Sequence, residues 1–316
     1  MSRPPRFVKP APLTPGDRVA VVAPAGPLDR ESLDAGLRVL AERYDVLWDA
    51  GLLSRTRYLA GEDVRREREL AAALADPRVR GVVAARGGYG SIRLLSRLWP
   101  SVNGRPSSIG LAKMVVGFSD ITVLHAALQA TGRVSVHGPV VTQLGTQPTG
   151  IVDRFFAILE DDVAPPAPVA GTPIIGGVVE GPLLGGNLSL LTRLLGTPWL
   201  PDVTGAVLLL EDVGEKPYRI DRMWTHLRLA GILDRVVGLA LGDFTDCEEP
   251  DGEFTLRDVL WDLVAETELP CVSDLPIGHG AVNVPVPLGT RVRLDGGTGT
   301  LSFLEPAVAA VAAVAD

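Results

Sequence analysis

The sequence is poor in the residues that form disulfides and hold metal ions. It has two cysteines, Cys247 and Cys271, and four histidines among 316 residues. The two cysteines lack the close spacing of a metal site, and a single pair cannot provide the disulfide framework of a secreted scaffold. We therefore expect no metal and no cofactor, and a reducing compartment, the cytoplasm.

A basic excess and a long apolar run are also absent. The 30 Lys and Arg residues are outnumbered by 38 Asp and Glu residues, which gives a net charge of −8. No basic block is dense enough to bind a nucleic acid backbone. The C-terminal Ala/Val run at 307–315 is about half as long as a membrane span requires. We expect neither nucleic acid nor a membrane as a partner.

The N-terminal segment does not resemble an export signal. Arg3, Arg6 and Lys9 are basic, but prolines are interleaved with them, and Asp17 precedes the first apolar run at 19–23. A signal peptide carries an apolar segment directly after its basic region. We therefore expect no export signal, in line with a cytoplasmic protein.

The first half of the chain alternates between strand and helix patterns. Apolar runs of strand length occur at 19–23, 45–48, 79–85 and 114–118, and helical spacing occurs at 30–43, 63–75, 91–98 and 120–129. This alternation predicts an α/β domain with a doubly wound, mostly parallel sheet, whose ligands collect beyond the carboxyl ends of the strands.

A stretch rich in proline and glycine separates this half from a different pattern. Around 161–177 neither helical nor strand periodicity is present, and we place a linker at 164–177, between domains at 1–163 and 178–316. In the second domain we predict helices at 185–195, 220–229 and 255–267, and strands at 206–210, 236–242, 291–294 and 300–304. The chain therefore closes on a β-rich segment.

Ser119 lies where a predicted buried strand turns directly into a helix. The strand ends at this serine, and Asp120 falls in the first turn of the helix. The unpaired N–H groups and the dipole of a helix N-terminus stabilise an oxyanion, which acyl transfer produces. Ser119 is therefore a candidate nucleophile, although serine is also a favoured helix cap.

Two other turns carry groups that can activate a serine. A buried strand runs into Glu211 and Asp212, where a carboxylate needs a partner, although strands often end in polar turn residues. His279 stands between two glycines, and it is either a functional base or a loop histidine bonded to nearby backbone. His137, before a glycine at a strand end, is a second candidate histidine and a candidate wall of the same pocket.

The order Ser119, Glu211, His279 supplies a nucleophile, an acid and a base. In such a triad the histidine takes the serine proton, while the carboxylate orients the imidazole and stabilises the imidazolium. The same order occurs in α/β-hydrolases, but their Gly-x-Ser-x-Gly elbow has a glycine where this chain has Ile121. That fold is disfavoured.

Two other classes of protein remain open on these residues alone. A two-domain protein that binds a small molecule without catalysis would need no convergence of Ser119, Glu211 and His279. A nucleotide-binding enzyme would use 87–90 as a phosphate loop, but this segment has no lysine and no Gly-x-Gly-x-x-Gly spacing.

Seven motifs occur in order along nearly the whole chain. They are Val-Ala-Pro-Ala-Gly-Pro at 22–27, Tyr-Leu-Ala-Gly at 58–61, Arg-Gly-Gly-Tyr-Gly at 86–90, Gly-Phe-Ser-Asp at 117–120, Gly-Gly-Asn-Leu at 185–188, Leu-Glu-Asp at 210–212 with Tyr-Arg-Ile-Asp-Arg at 218–222, and Gly-His at 278–279. Together they resemble the serine LD-carboxypeptidases of peptidase family S66, which includes muramoyl-tetrapeptide carboxypeptidases and microcin-C immunity peptidases. The resemblance implies a flavodoxin-like N-terminal domain that bears the nucleophile and a smaller β-rich C-terminal domain that bears the acid and the base.

The resemblance also implies where the oxyanion and the substrate bind. The oxyanion hole is expected from the N–H groups of Asp120 and Gly88, with Gly87 as the alternative to Gly88. A carboxypeptidase must bind a terminal carboxylate, and we expect Arg86, with Tyr89 in the same turn, to contact substrate. Arg86 could instead brace the turn by bonding carbonyl groups. No metal is required by this chemistry.

The reaction implied by the resemblance is hydrolysis of a bond between an L-configured centre and a terminal D-amino acid. An example is the release of D-alanine from murein tetrapeptides in peptidoglycan recycling, so we expect a small peptide substrate, and we expect a homodimer. The immunity peptidases cleave aminoacyl-nucleotide toxins and carry a longer, aromatic-bearing insertion between nucleophile and acid. Here only 91 residues separate Ser119 from Glu211, and no tryptophan lies between Trp99 and Trp199, which favours the murein branch.

Overall fold

The computed structural model describes residues 7–102, 105–106, 112–249 and 253–310. Arg3 and Arg6 of the N-terminal segment, and the end of the Ala/Val run at 311–315, lie outside the described residues. The helices are α1 (Arg30–Ala41), α2 (Asp63–Ala75), α3 (Leu95–Leu98), α4 (Thr122–Ala130), α5 (Val141–Leu144), α6 (Thr149–Glu160), α7 (Leu188–Arg193), α8 (Pro217–Leu229) and α9 (Leu256–Ala265), with 3-10 turns at Ala50–Leu53, Ser91–Leu94 and Ser119–Ile121. Across the described ranges, no helix has both the length and the apolar character needed to cross a membrane.

The strands are short and numerous. They are β1 (Arg18–Val22), β2 (Asp45–Leu47), β3 (Val79–Ala84), β4 (Ser101–Val102), β5 (Arg105–Pro106), β6 (Met114–Gly117), β7 (Ser135–His137), β8 (Val169–Ala170), β9 (Thr172–Ile175), β10 (Val178–Asn187), β11 (Val207–Val213), β12 (Gly238–Thr245), β13 (Cys271–Ser273), β14 (Val286–Leu288), β15 (Arg291–Asp295) and β16 (Thr300–Phe303). Within the described residues, β4 and β5 pair only with each other.

The first sheet has six strands in the order β14-β7-β6-β3-β1-β2. All neighbours in it run parallel except β14, which is antiparallel to β7. The central strands β1, β3 and β6 are buried along nearly their whole length, because α1, α5 and α6 cover one face and α2, α3 and α4 the other. The predicted mostly parallel α/β domain is confirmed.

The second sheet has eight strands in the order β8-β16-β15-β10-β11-β12-β13-β9. Its four central strands, β10 to β13, run parallel, and the strands on both sides of them are antiparallel. Helices α7, α8 and α9 pack on one face of this sheet. The segment predicted as a linker at 164–177 contains β8 and β9, so part of it belongs to the two edges of the sheet rather than to a free connection.

Two of the predicted boundaries that were wrong in the second half bear on the site. Gly185 and Gly186 lie in β10 rather than at the start of a helix. The glycines are needed because β11 passes very close: a Cβ on Gly185 would stand 2.1 Å from the carbonyl oxygen of Leu209. Only glycine allows β10 and β11 to pair at this point. The strand predicted at 206–210 continues to Val213, which places Glu211 inside β11 rather than after it.

The two sheets are joined near the carboxyl end of β6. The Asn187 N–H, at the end of β10, donates to Thr122 Oγ1 at 3.0 Å, at the start of α4. A Cβ on Gly186 would lie 2.8 Å from the same hydroxyl oxygen, so the backbone of β10 approaches α4 closely. Further along the chain, β14 leaves the second half and pairs with β7 of the first sheet. These contacts bring the ends of β6 and β11 together.

Candidate active site

Ser119 stands at a sharp turn between β6 and α4. Its φ of +62° lies in the left-handed region, which costs a non-glycine residue on the order of 1–3 kcal/mol and marks a backbone held by its surroundings. Gly117 has no room for a side chain, since a Cβ there would lie 2.9 Å from both γ-carbons of Ile121. Ile121 stands where the Gly-x-Ser-x-Gly motif of the α/β-hydrolases has its second glycine. Its side chain packs onto the end of β6. The turn leaves Ser119 half-buried beside the first N–H groups of a helix.

The glycine turn after β3 lies directly against Ser119. A Cβ on Gly87 would be 2.8 Å from Ser119 Cβ and 3.0 Å from its Oγ, so only glycine leaves space for the serine side chain. Gly88 has a φ of +108°, and the Gly26 N–H donates to the Gly87 carbonyl at 3.0 Å. The structure therefore brings the turn predicted to supply an oxyanion donor next to the predicted nucleophile.

Two buried charged side chains hold this glycine turn, and neither side-chain role was predicted from the sequence. Asp120 Oδ2 accepts the Ser91 N–H at 2.7 Å, and burial raises the pKa of the Asp120 carboxyl despite that hydrogen bond. Arg66 is fully buried, donates to the Pro24 carbonyl and lies against Gly90. The burial of Arg66 could have been predicted from its position, since it shares the apolar face of α2 with Leu70 and Leu74.

We expect Asp120→Asn to keep the fold, and Asp120→Ala to destabilise it. The amide oxygen of asparagine can still accept the Ser91 N–H, whereas alanine leaves that buried donor without a partner at a cost of about 1–3 kcal/mol. Urea unfolding of the two variants measures the difference. Equal free energies of unfolding for both variants would show that the contact with Ser91 does not hold the turn.

Glu211 and His279 form a direct pair. His279 Nδ1 lies 2.6 Å from Glu211 Oε2. The Glu211 side chain is 0% exposed, and its burial raises the pKa of its carboxyl, an effect opposed by His279. A Cβ on Gly278 would lie 2.6 Å from the same carboxylate oxygen, and the Gly278 φ of +127° also favours glycine. Glycine at this position is therefore required for the pair to form.

The loop that carries His279 is anchored to the first half of the chain. The Asn283 N–H donates to Gln147 Oε1 at 3.0 Å, and β14, which follows the loop, pairs with β7 beside the strand that ends at Ser119. The His279 ring packs on Phe118, with 4.7 Å between ring centroids. Since Phe118 directly precedes Ser119, this contact places the pair of His279 and Glu211 beside the turn that carries Ser119.

Asp212, the second acid at the predicted strand end, binds Ser189 and Asn187 at the start of α7. Its Oδ2 accepts from the N–H and the hydroxyl of Ser189 at 2.9 and 2.8 Å, and its Oδ1 accepts from Asn187 Nδ2 at 3.1 Å. Asn187 Oδ1 in turn caps α7 by accepting the Leu190 N–H at 3.1 Å. Asp212 therefore fixes the start of α7, and this role of Asn187 was not predicted.

His137, the other candidate histidine, lies against Phe118 and is fully buried. Its ring meets the Phe118 ring edge-on, with 5.9 Å between centroids. Burial is the main cause that holds the pKa of His137 well below 6.5. Burial likewise lowers the pKa of His125 to about 4. Both residues are neutral near pH 7, and of the three histidines only His279 is partly exposed.

The two predicted substrate-binding residues lie at the exposed rim of the glycine turn. Arg86 donates to the Pro27 carbonyl, so the bracing contact is present. Arg86 is exposed, and a guanidinium has five N–H donors, so this contact occupies only part of its capacity. Tyr89 is 45% exposed and packs edge-on against Tyr58, with 5.7 Å between ring centroids. These tyrosines form an aromatic rim beside the turn.

The assembled groups are those of acyl transfer through a serine. A histidine whose Nδ1 is held by a buried carboxylate can accept a proton at Nε2, and the first N–H groups of a helix have no acceptor within the helix. Within the described ranges, no group of three or more His, Cys, Asp or Glu side chains is arranged to hold a metal ion.

Models of two protein domains match the chain, the first over the segment with Ser119 and the second over the segment with Glu211 and His279. The LD-carboxypeptidase N-terminal domain of peptidase family S66 matches residues 19–138, and the LD-carboxypeptidase C-terminal domain of the same family matches residues 180–294. A putative carboxypeptidase of Synechocystis sp. is 43% identical over 309 residues, which cover 96% of this chain and 99% of that protein. The murein tetrapeptide carboxypeptidase of Pseudomonas aeruginosa is 36% identical over 299 residues, which cover 88% and 93% of the two chains.

The fold also occurs in solved structures. The muramoyltetrapeptide carboxypeptidase from Oxalobacter formigenes superposes with a TM-score of 0.77 at 32% identity, covering 90% of this chain and 97% of the other. The microcin C7 self-immunity protein MccF, in complex with glutamyl sulfamoyl guanosine, superposes with a TM-score of 0.81 at 20% identity, covering 95% and 99%. At 20% identity, the comparison with MccF shows a shared fold alone.

Proposed function

Because this chain belongs to the LD-carboxypeptidase family, peptidase S66, and is a serine-type enzyme of that family, we propose that it releases terminal D-alanine from murein tetrapeptides. The observation that carries the proposal is the pair of His279 and buried Glu211 beside the strained turn at Ser119. Together these residues provide a complete nucleophile, base and acid. We further propose that the peptide arises from turnover of peptidoglycan and that the reaction takes place in the cytoplasm.

The proposed chemistry begins with attack by Ser119 Oγ on the carbonyl carbon that precedes the terminal D-amino acid. His279 Nε2 takes the serine proton and then gives it to the departing amine, while Glu211 holds Nδ1 and stabilises the imidazolium. Water then hydrolyses the acyl-enzyme with His279 again as the base. The 2.6 Å contact between His279 and Glu211 supports these roles, because it fixes the tautomer that base catalysis needs.

The oxyanion formed in each step needs donors close to Ser119. We propose the N–H groups of Asp120 and Gly88, with Gly87 as the alternative to Gly88. The close packing of Gly87 on the Ser119 side chain supports this assignment. Preorganised backbone donors of this kind stabilise the transition state without a cost of reorientation.

The test of the proposal is the release of free D-alanine from a tetrapeptide stem by the purified chain. We expect turnover with the tetrapeptide and none with the tripeptide, which lacks the terminal residue. The pentapeptide, whose terminal bond joins two D-centres, should also be left intact. Release from the pentapeptide, or none from the tetrapeptide, would contradict the proposal.

The microcin immunity peptidases suggest a second substrate, an aminoacyl nucleotide analogue. The fold they share with this chain fits that chemistry, whereas the short span between Ser119 and Glu211, without an inserted tryptophan, favours the murein peptide. Hydrolysis of an aminoacyl sulfamoyl adenosine faster than the tetrapeptide would reverse this preference. A non-catalytic binding protein would bind the tetrapeptide and leave it intact.

We propose that Arg86 contacts the terminal carboxylate and that Tyr89 lines the same subsite. Amidation of the D-alanine carboxyl should then lower kcat/KM by roughly 10- to 100-fold, because a charged hydrogen bond is lost. The penalty should shrink in Arg86→Ala, since the two changes are coupled only if the groups touch. The same penalty in wild type and variant would assign Arg86 to bracing the turn through the Pro27 carbonyl.

A further inference from the structure

A small basic pocket lies between the end of α7 and the start of α8. Its volume is about 210 Å³, and the residues that line it are Arg193, Glu215, Tyr218, Arg219, Arg222 and Met223. We call it the arginine pocket. Three guanidinium groups face one carboxylate in a chain whose net charge is −8, so the positive charge here is a local concentration rather than a general property of the surface.

Two of these arginines have no acidic partner among the residues that the structure describes. Arg219 lies 3.3 Å from Glu215, whereas neither Arg193 nor Arg222 forms an ion pair within the part of the chain that the structure describes. Arg222 instead lies 5.8 Å from the ring centroid of Tyr218, which is 56% exposed. Guanidinium groups bind carboxylates in a bidentate manner, and an exposed tyrosine adds apolar contact area.

The arginine pocket is linked by contacts to Asp212, the residue that follows the proposed acid Glu211. Met223 Sδ lies 3.4 Å from Ser189 Oγ, which donates to Asp212 at 2.8 Å. Asp212 directly follows Glu211 in β11. Glu215 is four residues beyond Glu211, so their Cα atoms are at most about 14 Å apart. An extended peptide of four residues has about the same length.

We propose that the arginine pocket binds a side-chain or α-carboxylate of the peptide substrate on the N-terminal side of the scissile bond. This inference rests on the proposed function and names the feature of the substrate that the enzyme selects. A peptide stem with an acidic residue ahead of the scissile bond presents such a carboxylate. Arg86 and the arginine pocket would then bind opposite ends of one peptide, the first from the first sheet and the second from the helices of the second sheet.

The test compares a tetrapeptide that has a carboxylate ahead of the scissile bond with the same peptide amidated at that carboxylate. Binding is measured by calorimetry in a Ser119→Ala background, so that no turnover occurs, and kcat and KM are measured in the active enzyme. Arg193→Gln and Arg222→Gln are the test variants. Arg228→Gln is the matched control, because Arg228 lies on the same helix, is exposed and binds Glu266 outside the pocket.

We expect each test variant to weaken binding of the acidic peptide about 10-fold and to raise KM similarly, with kcat changed by less than twofold. For the amidated peptide, wild type and variants should coincide, and Arg228→Gln should match wild type with both peptides. Unchanged affinity in the Arg193→Gln, Arg222→Gln double variant would overturn the proposal. An equal loss with the amidated peptide would also overturn it.

The outcomes separate this inference from the proposed function. Release of D-alanine with binding that is insensitive to both arginines would remove the arginine pocket and keep the function. Arginine-dependent binding of the acidic peptide without release of D-alanine would keep the pocket and remove the function. If the variants lost affinity for adenosine monophosphate instead of the acidic peptide, the pocket would be a nucleotide phosphate site and the proposal would be wrong.

Discussion

Ser119→Ala is expected to lower kcat for D-alanine release by roughly 10³-fold or more and to leave the fold intact. The serine is half-buried at the surface of the glycine turn, so removal of its hydroxyl deletes the nucleophile without opening a core cavity. Turnover of the tetrapeptide, together with thermal unfolding, measures both parts of this expectation.

Ser119→Gly provides the matched control for the strained backbone. Glycine adopts the φ of +62° without a steric penalty, so this variant should be as inactive as Ser119→Ala and at least as resistant to heat. A loss of activity with a gain in stability would show that the strain serves the nucleophile. Turnover within about 10-fold of wild type in either correctly folded variant would exclude Ser119 from the mechanism.

His279→Ala is expected to cost about as much as Ser119→Ala, and the double variant little more than either alone. Residues that act as one unit give losses far from additive, because the second removal disables a step that is already absent. The rates of the two single variants and the double variant, measured on one tetrapeptide preparation, form the cycle. If the rate loss of the double variant equalled the product of the two single losses, His279 and Ser119 would act independently.

Glu211→Gln should be milder than either of these changes. The amide cannot stabilise the imidazolium, but it still occupies the buried space beside the histidine, and a mis-oriented imidazole accepts protons part of the time. Asp212→Asn is the neighbouring control, since Asp212 binds Ser189 and not His279. A greater loss of turnover in Asp212→Asn than in Glu211→Gln would contradict the assignment of the acid.

Local patterns predicted the parts of the site that depend on local structure. The turn at Ser119 was predictable because a buried apolar strand ends where helical spacing begins, and both patterns are read within about ten residues. The helix at 63–75 was predicted with the bounds of α2 for the same reason. By contrast, Arg66 and the Asp120 side chain hold the glycine turn through contacts with residues far away in the sequence.

The strands β9, β13 and β14 and the helix α6 were not predicted. The strands are short, and each is defined by pairing with a strand distant in the chain, as β14 is with β7. Such pairing leaves little local periodicity to read. The run of Gly185 and Gly186 was interpreted as a helix start, because the close approach of β11 that requires glycine there appears only in the folded sheet.

The sequence by itself determined the chemical groups, their order along the chain and the turns that carry them, because apolar runs, helical spacing and glycine turns are local features of the backbone. The tertiary structure decided which of these groups meet. It paired His279 with Glu211 rather than leaving it bonded to its own loop, and it turned Asp212 toward Ser189. It did so because β14 pairs with β7 in the first sheet, which holds the loop of His279 against the turn of Ser119.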